Sequence, residues 1–379
     1  MSYMIVNPIA QFNFQANRVL MYGSLACDSK EIEANVPSIR TFEDWRVIWS
    51  NMGRSAEEHK RYLHAAYYYR MVEFFLQSDD PQKEIFYRKC IENFYRGFDL
   101  ELHLHYEKFR VPFEGKFLYG LKLAPIAPKG TIVVCGGYDS FIEEFVLQVR
   151  DFVERDYEII LFDGPGQGEC IKNKFYFRYN FEQATSAVLD YFHIQRCAMV
   201  GISWGGYFAL RSSAFDKRIS AVVAYDVMDN GLEVMTNIFP PFLCRSIRFG
   251  YHHHWEQLVN ILAGKIMKKN ILASWALSQG MYITGTATPY EFYQNLSLHN
   301  LTEVTNLLTQ DVLLLAGEKD HYIPINQFHR LKNSIHNAKS LTCRLFTTAE
   351  GGEQHCQIGN HMLAVNTIID WLNLHFAEN

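Results

Sequence analysis

The chain has no long apolar run, no field of one charge, no paired-cysteine motif and no repeat or low-complexity tract. A membrane-spanning helix needs about 18–20 consecutive apolar residues, and nothing here approaches that length. The start, MSYMIVNPIAQFNFQANR, lacks a basic segment followed by a long apolar one, so no secretory leader is read there and the expected compartment is cytoplasmic. Lys and Arg number 36 against 41 Asp and Glu, both signs scattered, a balance that gathers neither phosphate backbones nor anionic lipid. Nucleic acid and membrane are therefore not expected partners. The eight cysteines form no C-x-x-C and fall mostly inside apolar segments, as buried reduced thiols do.

What remains is 379 residues that are 48% hydrophobic and 15% aromatic, more than one core of about 250–300 residues holds comfortably. One large domain with helical additions is expected. Residues 41–97 carry apolar positions at spacings of three and four, with an Asp-Pro start at 80–81, so 1–100 reads as a helical N-terminal region. From 101 the period changes to two around Glu114-Gly115, a hairpin signal. GTIVVCGG, YEIILFDGPGQG and RCAMVGIS then alternate with helical stretches, and continuous apolar strands alternating with helices require a parallel sheet covered on both faces. The class is α/β. After ISAVVAYD the next strand, DVLLLAG, does not start until 311. A crossover needs only about a dozen residues, so 227–310 reads as a helical cap inserted between two core segments, 101–226 and 311–379. Among the cap's apolar residues, Phe242, Trp255 and Trp275 are the expected pocket-facing members.

The sharpest motif is Gly201-Ile202-Ser203-Trp204-Gly205-Gly206, a G-x-S-x-G between a strand and a helix. The turn is so tight that only small flanking residues fit, and it holds the serine hydroxyl up at the sheet edge. A serine needs a histidine to take its proton and a carboxylate to fix the imidazole, in the chain order Ser, acid, His. Asp320, after DVLLLAGEK, is the expected acid, with Asp226, Asp229 and Glu318 as competitors. His355, in the loop after the last strand, is the expected base, ahead of His361 at the start of the last helix, where the dipole disfavours an imidazolium. The oxyanion donors expected are the amide of Trp204 and that of Gly137 or Tyr138, with Asp139 or Ser140 capping the helix that follows. The run His252-His253-His254 has no completing ligands and is not read as a metal site. Asp163-Gly164-Pro165-Gly166-Gln167-Gly168 lacks a G-K-[ST] ending and opens no immediate helix, so nucleotide binding is rejected. No cofactor is expected.

Together, G-G-Y-D-S-F-I-E-E at 136–144, D-G-P-G-Q-G at 163–168, G-I-S-W-G-G at 201–206 and E-Q-H-C-Q at 353–357 resemble the α/β-hydrolase superfamily over roughly 105–379. More narrowly, they look like the group containing 2,6-dihydroxypseudooxynicotine hydrolase, the fungal polyketide-shortening hydrolases and the fermentation–respiration switch protein, with single-domain acylaminoacyl-peptidase-like hydrolases nearby. The resemblance implies a mostly parallel sheet with a helical cap, a homodimer, and Ser203, Asp320 and His355 at the triad positions. It implies cleavage of a carbon–carbon bond beside a ketone. The residues themselves order the substrates as carboxylic ester, then C–C bond, then peptide, on a small or medium apolar acyl compound. The rival class is a non-catalytic ligand-binding protein on the same fold.

Overall fold

The computed structural model describes residues 3–376, which divide into two compact units, 3–105 with 358–361 and 106–357 with 362–376. The first unit is helical. Its α-helices are Ala10–Leu20, Ser29–Asn35, Phe42–Glu58, Tyr62–Phe75 and Pro81–Gly97. Thr41 and Asp44 close a capping box on the third, and Asp80 caps the fifth just before a proline, so helix starts coincide with the residues best able to satisfy free amides. Phe12 stacks on Trp45 at 5.0 Å, and Trp45 meets Phe75 edge-on at 5.2 Å, which is where this unit spends its aromatic content.

The second unit is built on an eight-stranded sheet. Strands β1 (Tyr106–Phe113) and β2 (Lys116–Leu123) form the antiparallel hairpin, turning through Glu114 and Gly115, both at positive φ. The others are β3 (Gly130–Cys135), β4 (Tyr157–Asp163), β5 (Cys197–Ile202), β6 (Ile219–Tyr225), β7 (Asp311–Gly317) and β8 (Ser340–Phe346). Their order is β1-β2-β4-β3-β5-β6-β7-β8, with β3 to β8 mutually parallel. Every residue of β5 and β7 is buried, as strands covered on both faces must be. The chain runs from β3 to β4 on one side and then crosses to β5 on the other, so the order reverses at β3. Parallel α/β sheets open a crevice at such a point, beyond the strands' C-terminal ends.

Between β6 and β7 stand five α-helices, Gly231–Asn237, Pro241–His252, Glu256–Met267, Ile271–Thr284 and Pro289–Ser297. Two of the expected pocket-facing residues in this segment turn outward: Phe242 is 77% exposed and Trp255 51%, whereas Trp275 is 7%. The helices at 241–252 and 256–267 are apolar on more than one side, so sequence period alone did not tell the inward face from the outward one. The helix after β3 also differs from expectation. It begins at Ile142 with no side-chain cap, because Ser140 is turned back onto the Gly137 carbonyl. All eight cysteines are free thiols, and among the described residues no helix is long and apolar enough to cross a membrane.

Candidate active site

Ser203 sits between β5 and the helix Gly205–Phe215 with φ +61°, left-handed backbone that a non-glycine residue adopts only under constraint. The constraint is visible. A side chain at Gly201 would strike the Gly205 carbonyl, and one at Gly205 would come within 2.7 Å of the Cys135 carbonyl oxygen, so only bare backbone lets the elbow close. The Ser203 amide donates to the Tyr225 carbonyl at 2.5 Å, which pins the turn to β6.

Two further loops converge on this serine. Ser203 Oγ lies 2.8 Å from His355 Nε2, and His355 Nδ1 lies 2.6 Å from Asp320 Oδ2. The other Asp320 oxygen accepts from the amides of Tyr322 and Ile323, at 2.8 and 2.9 Å. Nδ1 therefore carries the proton donated to Asp320, leaving Nε2 to accept from the serine hydroxyl. The His355 and Asp320 side chains are nearly buried, at 9% and 5% exposure, while Ser203 is partly exposed. Burial pushes the His355 imidazole down, but the Asp320 carboxylate overrides it and holds the group well above its ordinary range. Burial likewise raises Asp320, and His355 pulls it back below its usual value.

The competitors fall elsewhere. Asp229 is paired with Arg330 at 2.7 Å, and Glu318 is exposed and accepts from the Thr348 amide at 2.6 Å. His361 belongs to the helical unit, edge-on to Tyr22 at 5.3 Å. Asp226 is different: its Oδ2 comes within 3.6 Å of His355 Nδ1 and accepts from the Cys356 amide at 2.8 Å.

The expected oxyanion loop stands beside the elbow. A Cβ on Gly137 would lie 2.8 Å from the Trp204 nitrogen, so the glycine keeps the space over that amide open. Among the described residues neither the Trp204 nor the Tyr138 amide meets an acceptor. Three side chains hold the loop. Gln167 donates to the Gly136 and Gly137 carbonyls at 2.7 and 2.9 Å while accepting from the Gly164 amide at 2.8 Å. The Tyr138 hydroxyl donates to the Ala276 carbonyl of the helix Ile271–Thr284 at 2.6 Å, and its ring stacks on Trp204 at 5.4 Å. The Trp204 indole N–H in turn donates to His299 Nδ1 at 3.0 Å.

Gln167 escaped the sequence reading, which weighed its glycine-rich segment only as a nucleotide loop. That segment does open a helix at once, Gly168–Lys172, contrary to expectation, but the helix is a single turn and the preceding glutamine braces a neighbouring loop. The signal was present: glycines packed around one amide side chain mark backbone approaching backbone. Asp226, His355 and Cys356 bring a carboxylate, an imidazole and a thiol together within 4.8 Å, the composition of a metal shell. Both imidazole nitrogens are already committed to Ser203 and Asp320, and burial holds the thiol protonated, so this set fits acid–base work better than an ion. The histidine run at 252–254 is exposed at a helix end, with His254 directed to the Tyr290 hydroxyl at 3.1 Å.

Asp320, His355 and Ser203 are thus linked in series beside two amides that meet no acceptor among the described residues. The sequence matches the family described as alpha/beta hydrolase fold over residues 134–349. It is 25% identical over 412 residues to Hydrolase LUC6 of a Fusarium species, covering 98% of this chain and 97% of that one. It is 26% identical over 343 residues to the 20-hydroxy-prefusarin hydrolase FUS2 of Gibberella moniliformis, covering 83% and 80%. Among solved structures, 2,6-dihydroxy-pseudo-oxynicotine hydrolase shares the fold with a TM-score of 0.73 at 17% identity, over 95% of each chain. By sequence match and by architecture alike, the chain belongs to the alpha/beta hydrolase fold family and is a hydrolase.

Proposed function

We propose that the chain is a serine hydrolase that cleaves a small or medium apolar acyl compound, a carboxylic ester first and a ketone-adjacent C–C bond second. The observation that carries this reading is the unbroken relay from Asp320 through His355 to Ser203, at 2.6 and 2.8 Å, ending on a serine held at positive φ. Ser203 Oγ attacks the carbonyl carbon and its proton passes to His355 Nε2. The amides of Trp204 and of Gly137 or Tyr138 hold the oxyanion that forms. His355 then gives the proton to the leaving atom as that bond breaks, and water, deprotonated by the same nitrogen, releases the acyl group and restores the serine. The name of FUS2, a 20-hydroxy-prefusarin hydrolase, supports a small-molecule substrate, and the aromatic wall of Tyr138, Trp275 and Tyr322 beside the relay supports an apolar one.

Turnover of a graded panel of activated esters tests this. Ser203→Ala should lose at least about 10³-fold in kcat with the fold intact, since the hydroxyl supplies the covalent step. Activity surviving within tenfold would mean that another group is the nucleophile.

A further inference from the structure

The relay has one acidic side chain more than it needs. Ser203, Asp226, Asp320 and His355 follow the C-terminal ends of β5, β6, β7 and β8, four neighbouring strands, so the sheet delivers two carboxyls to one imidazole. Asp320 takes His355 Nδ1 at 2.6 Å, while Asp226 stops at 3.6 Å from the same nitrogen. Asp226 is 1% exposed. Its Oδ2 accepts from the Cys356 amide, and its Oδ1 is shielded from solvent with no partner.

We propose that Asp226 is a positioning residue that shares a single negative charge with Asp320 and supplies that charge to His355 whenever Asp320 cannot. Two ionised carboxyls at one dry site repel each other, so one of the pair keeps its proton. The asymmetry decides which. Asp320 has the imidazole and two backbone amides to stabilise an anion, whereas Asp226 has one amide and a bare oxygen. Burial first, and then the Asp320 charge, hold Asp226 well above the carboxylate range. The charged or titratable groups facing it are Asp320 from the β7 end and His355 and Cys356 from the β8 loop, with His321 acting on Asp320 from outside the pair. If Asp320 is made neutral, the repulsion disappears, Asp226 releases its proton to solvent, and its Oδ2 accepts the Nδ1 proton across a gap that a small rotation closes. The inference rests on the serine-hydrolase reading.

The test compares Asp320→Asn with Asp226→Asn/Asp320→Asn on an activated ester, beside Ser203→Ala. Removing the acid of such a relay costs about 10⁴-fold elsewhere. Asp320→Asn alone should lose only about 10–100-fold and the double variant about 10³–10⁴-fold. The pH profile separates positioning from a structural role. In Asp320→Asn the acid limb of kcat/KM should stay above 6.5, because Asp226 now holds the imidazole up; in the double variant it should shift to lower pH, because burial, the largest influence on the ring, is no longer opposed by a carboxylate. Equal rates and superimposable limbs in the two variants would overturn the proposal while leaving the nucleophile untouched, whereas an active Ser203→Ala would remove the reading beneath it. A measurement on the unaltered protein covers failure of the double variant to fold. The infrared difference spectrum between the unaltered protein and Asp226→Asn at neutral pH should show the loss of one buried carboxylic-acid carbonyl stretch, a band from the likewise buried Asp163 cancelling in the difference, and no such loss would also overturn the proposal.

Discussion

His355 carries the charge on which the relay turns, and its surroundings set the pH at which it can work. Burial favours the neutral ring, but the Asp320 carboxylate outweighs burial, so the imidazole keeps its proton to a higher pH than a free histidine. Only the neutral form accepts the serine proton. kcat/KM should therefore fall on the acid side through a limb above 6.5, and a pH profile on a stable ester whose limb lay below 6.5 would contradict this balance of forces. His355→Ala should cost several orders of magnitude in turnover, while His361→Ala should cost no more than a few-fold, because His361 packs on Tyr22 in the helical unit. The side chains at this scale were largely legible in the sequence. Ser203 announces itself through glycines that physical contact with Gly205 and Cys135 demands, and Asp320 and His355 follow from strand order. Gln167 was not legible, since its role depends on which loops meet beyond the sheet edge; Asp226 was named as a competing acid, but that it reaches the same imidazole as Asp320 leaves no local pattern.

Single polar links join the loops around the serine. Gln167 joins the loop after β4 to the loop after β3 through the two carbonyls next to the expected oxyanion donor. Gln167→Leu removes these two bonds and the one accepted from the Gly164 amide, leaving buried backbone unpaired at a cost of about 1–3 kcal/mol, which on transition-state binding is about 5–150-fold. The loss should appear in kcat with KM nearly unchanged, and an equal rise in KM would argue that the loop binds ground-state substrate instead. Trp204 is tied at its other end to His299, a wholly buried imidazole whose pKa burial lowers to about 3. That ring stays neutral at any pH where His355 works, so it anchors the elbow without adding a second titration to the profile. The helix Ile271–Thr284 reaches the same loop through Tyr138, which ties the inserted segment to the expected oxyanion loop.

At the scale of the molecule, the parallel sheet was readable because its strands are continuous apolar runs alternating with helices, and the insertion was readable as an interruption of that alternation. The facing of the inserted helices was not, because a helix apolar on several sides has no single inward stripe. The structure turns the specificity prediction from three residues to one. Trp275 lies between Tyr138 at 6.2 Å and Tyr322 at 6.4 Å, and Tyr322 meets the His355 ring at 5.1 Å. Trp275→Ala should change the ratio of kcat/KM for long and short acyl chains by about 1–3 kcal/mol per lost apolar contact, while Phe242→Ala and Trp255→Ala, both outward, should leave it flat. A flat response in Trp275→Ala would move specificity to another part of the chain.

The most direct measurement is covalent labelling of the intact protein with a small fluorophosphonate, followed by peptide mapping. It needs no knowledge of the substrate, because phosphonylation requires only a serine activated by its histidine and an oxyanion site to receive the P–O group. The relay at 2.8 and 2.6 Å predicts a single labelled peptide carrying the adduct on Ser203, with labelling abolished in Ser203→Ala and strongly slowed in His355→Ala. An adduct on any other residue, or an unlabelled Ser203 in folded protein, would contradict it.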